Sequence, residues 1–116
     1  MGEIRVVRSG RREGWASLED PPGEAGTRGA LLDVFASPDG HFTSGLWERE
    51  PDTWSFERPY DEIAIVLSGE ADIEEPDGTM HTVRAGDVLV TPKGSKGTWR
   101  IRETIVKFWA THETPG

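Results

Sequence analysis

Apolar residues occur along most of the chain in short runs, and turn-forming residues separate these runs at regular spacing. The turn signals include Pro-Asp-Gly at 76–78, Ala-Gly-Asp at 85–87 and Pro-Lys-Gly at 92–94. Short strands with evenly spaced turns are typical of an all-β sandwich or barrel. No run reaches the roughly 18 apolar residues that a membrane-spanning helix needs, so no membrane partner is expected.

The pattern predicts a series of strands within one domain spanning residues 1–116, with its core at 30–110. Residues 9–29 are rich in Gly and mixed charges and are predicted to be irregular, with Trp15 and Leu18 holding them to the barrel. A loose tail is expected at 111–116. Strands are predicted at 3–8, 30–36, 41–50, two pieces of 54–69 on either side of Pro59, 70–75 paired with 80–85, 87–92, 98–103 and 104–110.

The spacing of particular residues resembles the two sequence motifs of the cupins. In the first motif, a Glu is followed seven residues later by a Gly, as Glu62 and Gly69 are here. In the second, a Gly is followed by five residues and Pro-x-Gly, as in Gly86, Pro92 and Gly94. The resemblance implies an all-β cupin, a double-stranded β-helix or jelly-roll barrel of the RmlC-like type, in which Glu62 points into the barrel.

The metal-binding part of the cupin pattern is not matched. The motif's histidine pair would fall at Ser55 and Glu57 or at Phe56 and Arg58, and its later histidine at Gly97. His41, His81 and His112 are unclustered along the sequence, and Cys is absent. Zn, Fe and Mn require several such ligands, so we expect no metal and no metal cofactor.

A narrower resemblance extends over roughly residues 42–110. The fragments SGLWE, DE at 61–62, VLSGEADIEEPDG, PKGSKGTW and ETIVKFW are similar to the small single-domain cupins grouped with the (S)-ureidoglycine aminohydrolase cupin domain. This resemblance implies a homodimer, and as one alternative an enzyme that hydrolyses or deaminates a small polar metabolite. A non-catalytic ligand-binding or sensor module and a structural or assembly subunit remain open alternatives, because one fold hosts many functions.

Glu62 and Lys107 are the candidate catalytic residues. A carboxylate inside a small apolar pocket must be paired or must have a raised pKa. Lys107 lies within the run TIVKFWA and is the predicted partner if it points inward. If it points outward it is an ordinary surface lysine, and Arg58 or Arg100 is then the best remaining partner for Glu62. Removing one partner of a buried pair costs roughly 3–5 kcal/mol.

Aromatic and further acidic residues are the candidate ligand-binding positions. Tyr60, Trp99 and Trp47 are expected to form the pocket wall, which suits a planar small molecule. Glu48 and Glu57 are expected to add carboxylates, which together with Glu62 would suit a hard cation. Trp54 and Trp109 are assigned to the core or to an interface.

Strand alternation around Glu62 predicts an apolar outer face. If Glu62 points inward, then Ile63, Ile65 and Leu67 lie on the other side of the strand. Three aliphatic side chains in a row are expected to be covered, either by another segment or by a second copy of the chain. This agrees with the homodimer that the resemblance implies.

The charge balance limits the classes of partner. The net charge is −8, with 21 acidic and 13 basic residues, which opposes nucleic acid as a partner because phosphate binding needs a basic face. The first residues lack the apolar run of a secretory signal, so a cytoplasmic location is expected. The remaining partner is a small molecule of unassigned identity.

Overall fold

The computed structural model describes residues 2–18 and 23–113, and these form an antiparallel all-β fold. No helix occurs within these ranges, and therefore none that is long and apolar enough to cross a membrane is found there. The strands are β1 Ala16–Ser17, β2 Gly29–Ala36, β3 Phe42–Arg49, β4 Thr53–Glu57, β5 Asp61–Glu74, β6 Met80–Arg84, β7 Val88–Thr91 and β8 Lys96–His112.

Two long strands, β5 and β8, pair along most of their lengths and connect the two sheets of the barrel. On one side of the barrel, the order is β1-β2-β3-β8-β5-β7, built on the C-terminal half of β8 and the N-terminal half of β5. On the other side, the order is β4-β8-β5-β6, built on the opposite halves. The predicted jelly-roll architecture is confirmed.

The bend between the two sheets depends on Gly69. Its φ is +91°, and a Cβ placed there would lie 2.2 Å from the carbonyl oxygen of Thr104. Only glycine tolerates both this backbone conformation and this close approach. Register shifts between Val66 and Ala71 occur at the same point. The sequence predicted separate strands on either side of 69/70 and of 103/104. The structure instead shows bends within β5 and β8, since the two strands pair again beyond each irregularity.

The structure corrects the predictions at both ends of the chain. Residues 3–8 form no strand, and Ile4 is 94% exposed. Alternating apolar and polar residues form a strand only when a neighbouring strand offers them hydrogen bonds. The edge of β2 pairs with β1 and not with residues 3–8. At the other end, β8 continues to His112, and Thr111 is buried within the stretch predicted to be a loose tail. Residues 114–116 lie outside the described residues.

The core lies between the two sheets. Its buried cluster includes Trp47, Val66, Ile73, Trp99 and Ile105. Burial along β5 and β8 alternates, as expected when one face of a strand faces the interior.

The irregular N-terminal segment is held to this barrel by Leu18, which packs against the core, and by Asp52. The Asp52 carboxylate accepts hydrogen bonds from the backbone N–H groups of Ala25 at 2.8 Å and Thr27 at 3.1 Å, and it faces Arg49 at 3.7 Å. Trp15 is half-buried, donates its indole N–H to the carbonyl oxygen of Arg11, and is not among the residues packed against the buried core cluster.

Candidate ligand-binding site

Glu62 projects from β5 into the barrel. It shares its face with the buried residues Ala64 and Val66, while Ile63 and Ile65 on the opposite face are exposed. The Glu62 side chain is 7% exposed. A carboxylate removed from water to this extent needs compensating donors or positive charges.

Two cations share the same oxygen of Glu62. The Nζ of Lys107 lies 3.1 Å from Oε2, and Nη2 of Arg58 lies 3.2 Å from the same atom. Arg58 also donates a hydrogen bond from Nε to the Thr91 hydroxyl at 3.1 Å. Arg58 is thereby fixed between β5 and β7, and a single carboxylate faces two positive groups.

Lys107 points inward because β8 presents Ile105, Lys107 and Trp109 on its barrel face. Its side chain is 6% exposed. The Nζ lies 4.7 Å from the ring centre of Trp47 and 5.2 Å from that of Trp99. The lysine thus occupies the aromatic faces at which a ligand cation would otherwise bind.

The electrostatic environment lowers the pKa of Lys107 below its ordinary value. Burial is the largest cause, and the positive charge of Arg58 acts in the same direction. The charge of Glu62 and its hydrogen bond raise the pKa but do not reverse the shift. One carboxylate, already paired with a guanidinium, does not fully compensate a second buried cation.

These groups lie at a cavity of about 240 Å³ whose walls are mainly aromatic and aliphatic. Trp54 and Trp99 stack, with ring centres 6.1 Å apart and an angle of 15° between their planes. The lining side chains are Leu18, Leu31, Trp47, Trp54, Arg58, Tyr60, Glu62, Trp99, Lys107 and Trp109.

The structure therefore brings together five of the candidate residues named from the sequence: Glu62, Lys107, Tyr60, Trp99 and Trp47. The open alternative for Lys107 is settled, since its side chain is buried and paired with Glu62. The chemical roles of these five residues remain predictions.

The inward positions expected for Glu48 and Glu57 are wrong. Trp54 and Phe56 pack toward the core from β4, so alternation directs Glu57 outward, where it pairs with Lys96 at 3.2 Å. Trp47 likewise points inward from β3, and the adjacent Glu48 pairs with Arg12 on the outside. Neither carboxylate lines the cavity with Glu62, and the expected cluster of three acids does not form.

Trp54 and Trp109, predicted to lie in the core or at an interface, also line the cavity. Arg58 lines it too; from the sequence, Arg58 was a possible histidine-equivalent position, and a partner for Glu62 only if Lys107 pointed outward.

Two alignments with the cupin motif were possible, one with Ser55 and Glu57 and one with Phe56 and Arg58 at the positions of the histidine pair. Because Phe56 points inward, the second alignment fits the structure. The signal available beforehand was alternation from the apolar Trp54 and Phe56.

The residues around Glu62 do not fit a cupin metal centre. Within residues 2–18 and 23–113, no three His, Cys, Asp or Glu side chains cluster as a metal site would require. Arginine and lysine occupy the coordination side of Glu62, and neither a guanidinium nor an ammonium is a metal ligand. The site is therefore built around ion pairs.

Comparisons with known proteins identify relatives of the same fold. Residues 36–109 match the family model of the EutQ-like cupin domain. The EutQ protein of Clostridium difficile is 23% identical, with a TM-score of 0.67 over 95% of this chain and 81% of that chain. A putative ethanolamine utilization protein Q of Salmonella typhimurium LT2 is 21% identical, with a TM-score of 0.66 over 87% of this chain and 95% of that chain. No curated protein matches.

Proposed function

Because the chain belongs to the EutQ-like cupin domain family, we propose that it binds a small ligand in the barrel cavity. The observation that supports this proposal is that the largely buried Arg58–Glu62–Lys107 cluster lines a cavity together with aromatic side chains. A mainly apolar cavity with a few convergent polar groups is the usual form of a small-molecule site. Its volume of about 240 Å³ restricts the ligand to a small metabolite.

The charge arrangement favours a neutral or anionic ligand over an amine. Two of the polar groups are basic and only one is acidic, and the Trp47 and Trp99 faces are occupied by the Nζ of Lys107. An ammonium ligand would have to displace this lysine or lie close to it, which like-charge repulsion opposes. Ethanolamine, the compound in the name of the Salmonella ethanolamine utilization protein, is therefore expected to bind weakly.

The five tryptophans provide a direct test. Trp47, Trp54, Trp99 and Trp109 line the cavity, whereas Trp15 stacks on Arg12 outside it. A small-metabolite library is first screened by thermal shift, since a ligand that binds the native state raises the melting temperature. Binding in the cavity should then move the indole N–H resonances of the four lining tryptophans and leave that of Trp15 unchanged. Ligands that move only Trp15, or none of the five, would contradict the proposed site.

Hydrolysis or deamination of a small polar metabolite is the alternative that the ureidoglycine aminohydrolase resemblance suggests. In those relatives the chemistry uses a metal held by histidines, and the residues around Glu62 do not supply that donor set. Binding without that reaction is the better-supported proposal. Release of ammonia from a bound metabolite, dependent on Glu62, would favour the hydrolytic alternative.

A second observation supports assembly into a homodimer. On the outer face, Ile63 lies opposite Val90 and Ile65 opposite Val88, and Phe108 and Ala110 continue the surface on β8. Ile63 is 51% and Val90 61% exposed, so no described segment covers them. A flat apolar face that is largely free of charge suits a second copy of itself across a two-fold axis.

The dimer proposal is tested by Val90→Lys, with Met80→Lys as a matched control. Both residues are apolar and exposed in the single chain, but Met80 lies on β6, away from the β5–β7 face. Light scattering should show a dimer for the wild type and for Met80→Lys, and a monomer for Val90→Lys. A monomeric wild-type protein would contradict the dimer.

A further inference from the structure

The Arg58–Glu62–Lys107 cluster contains one more positive group than its carboxylate can neutralise. A guanidinium is a permanent cation in proteins, and that of Arg58 donates hydrogen bonds to Glu62 and Thr91. Any relief of the excess charge must therefore come from Lys107, which is 6% exposed. A buried ammonium without a counter-charge of its own is costly, and losing a proton removes that cost.

The groups facing Lys107 act in both directions. Burial and Arg58 favour the neutral amine, whereas Glu62 favours the charged form. The indole faces of Trp47 and Trp99 also favour the charged form. The pKa of Lys107 is nevertheless lowered, so a larger share of this lysine is a free amine at neutral pH than for an exposed lysine. Tyr60 lines the same cavity and is the remaining titratable group there.

We propose that Lys107 is a nucleophilic amine that forms an imine with a small aldehyde or ketone bound in the cavity. This inference rests on the proposed ligand-binding function and specifies its chemical class. Its geometric basis is a lysine nitrogen at the wall of an aromatic cavity, within hydrogen-bond distance of a carboxylate that a guanidinium holds in place. A desolvated lysine beside a second cationic group is a recognised means of activating an amine nucleophile.

The reaction requires no oxidant or metal. The lone pair of Nζ attacks the carbonyl carbon, the C=O π electrons move to oxygen, and a proton transfers from nitrogen to oxygen to give a carbinolamine. The carbinolamine hydroxyl then leaves as water while the C=N bond forms. The carbonyl oxygen and two amine hydrogens account for that water. Glu62, 3.1 Å from Nζ, is placed to accept the proton from nitrogen and return it to the departing hydroxyl.

The chain offers its own internal controls, because it contains only three lysines, at 93, 96 and 107. Lys93 and Lys96 are exposed, and Lys96 pairs with Glu57 at the surface. All three are present in the same molecule at the same probe concentration. Their relative reactivity therefore measures the effect of the cavity on Lys107 directly.

The test incubates the full chain with glycolaldehyde or pyruvate and sodium cyanoborohydride at pH 7, which reduces an imine to a stable secondary amine. Peptide mapping by mass spectrometry then gives the labelling rate at each lysine and, separately, at the N-terminal amine. A lowered pKa increases the fraction of free amine at pH 7. We expect Lys107 to be labelled severalfold faster than Lys93 and Lys96 with at least one probe. Equal or slower labelling of Lys107 with both probes would overturn the proposal.

The effect of Arg58 on Lys107 is measured by the pH dependence of Lys107 labelling. Arg58→Gln removes the competing cation, so Glu62 pairs with Lys107 alone, and the midpoint of Lys107 labelling should move to higher pH. Arg58→Lys, which retains a positive charge, should move it less. An unchanged midpoint in Arg58→Gln would overturn the activation by charge excess.

The tryptophan indole N–H resonances distinguish two negative results: that no imine forms, and that no ligand binds in the cavity. If pyruvate or glycolaldehyde moves the lining tryptophan resonances while Lys107 stays unlabelled, the imine is overturned and ligand binding stands. If neither effect is observed, the imine is overturned, and the metabolite screen alone decides the binding proposal.

Discussion

Replacing either Glu62 or Lys107 tests how the buried charges compensate one another. Glu62→Gln leaves Arg58 and Lys107, whose side chains are 13% and 6% exposed, without a counter-charge. Removing one partner of a buried ion pair costs roughly 3–5 kcal/mol. Because Lys107 can lose its proton, we expect a loss of unfolding free energy near the lower limit, about 3 kcal/mol.

Lys107→Met should cost considerably less. Arg58 remains 3.2 Å from Glu62, so the carboxylate keeps its counter-charge. The variant loses one hydrogen bond to a charged group, worth roughly 1.5–3 kcal/mol. It also avoids the cost of burying the lysine, and the methionine retains most of the packing volume. The expected net loss is about 1 kcal/mol. With Lys107 as the only partner, the sequence predicted a larger loss; Arg58 is the reason for the difference.

Urea unfolding followed by tryptophan fluorescence measures these losses, with the slope of the transition checked for constancy. Lys93→Met, at an exposed loop position, is the control and should change stability by less than about 0.5 kcal/mol. The double variant Glu62→Gln/Lys107→Met should be no less stable than Glu62→Gln alone, because it removes one of the two uncompensated cations. If Lys107→Met cost as much as Glu62→Gln, then Arg58 would not be compensating Glu62, and this reasoning would fail.

Three further predictions concern other parts of the chain. Burial alone would raise the pKa of the Asp52 carboxyl, but hydrogen bonds from backbone N–H groups hold that pKa well below its ordinary value. The ionised carboxylate therefore stabilises the fold at neutral pH, and this stabilisation is lost as pH falls below about 4. Asp52→Asn should cost roughly 3 kcal/mol at pH 7, because it leaves Arg49 buried and unpaired, and the difference from wild type should narrow in acid unfolding series. Gly69→Ala should lower stability by more than about 2 kcal/mol in urea unfolding, because the added Cβ would clash with Thr104. Elemental analysis of purified protein should find no stoichiometric transition metal; about one metal per chain, lost in Glu62→Ala, would contradict this.

Local signals were sufficient for the fold and for part of the site. The spacing of Glu62 and Gly69 resembles the cupin motif, and that resemblance predicted the inward carboxylate. At Gly69 the sequence predicted a break between two strands, and the structure shows a bend within β5 instead. Alternation then brought Tyr60 onto the same face as Glu62. The same rule failed at residues 3–8, since a strand also needs a free sheet edge, and that depends on which segment pairs with β2.

The direction of Lys107 required the tertiary structure. The residues on either side of it, Ile105, Val106, Phe108 and Trp109, are apolar on both faces of the strand, so the sequence pattern does not show which face points inward. In the sheet, Lys107 pairs with Trp47 on β3 and with Val66 on β5, both of which point inward. This pairing turns Lys107 inward as well and places its Nζ beside Glu62.

The sequence alone therefore predicts the all-β architecture and, through the cupin-like spacing, an inward carboxylate that needs a positive partner. The tertiary structure decided which cations meet that carboxylate. Arg58 reaches Glu62 from the connection between β4 and β5, and its guanidinium shares one carboxylate oxygen with Lys107. Charge compensation depends on distances in space: Arg58 is only four residues from Glu62, but Lys107 is 45 residues away, and the folded barrel brings its ammonium to the same carboxylate.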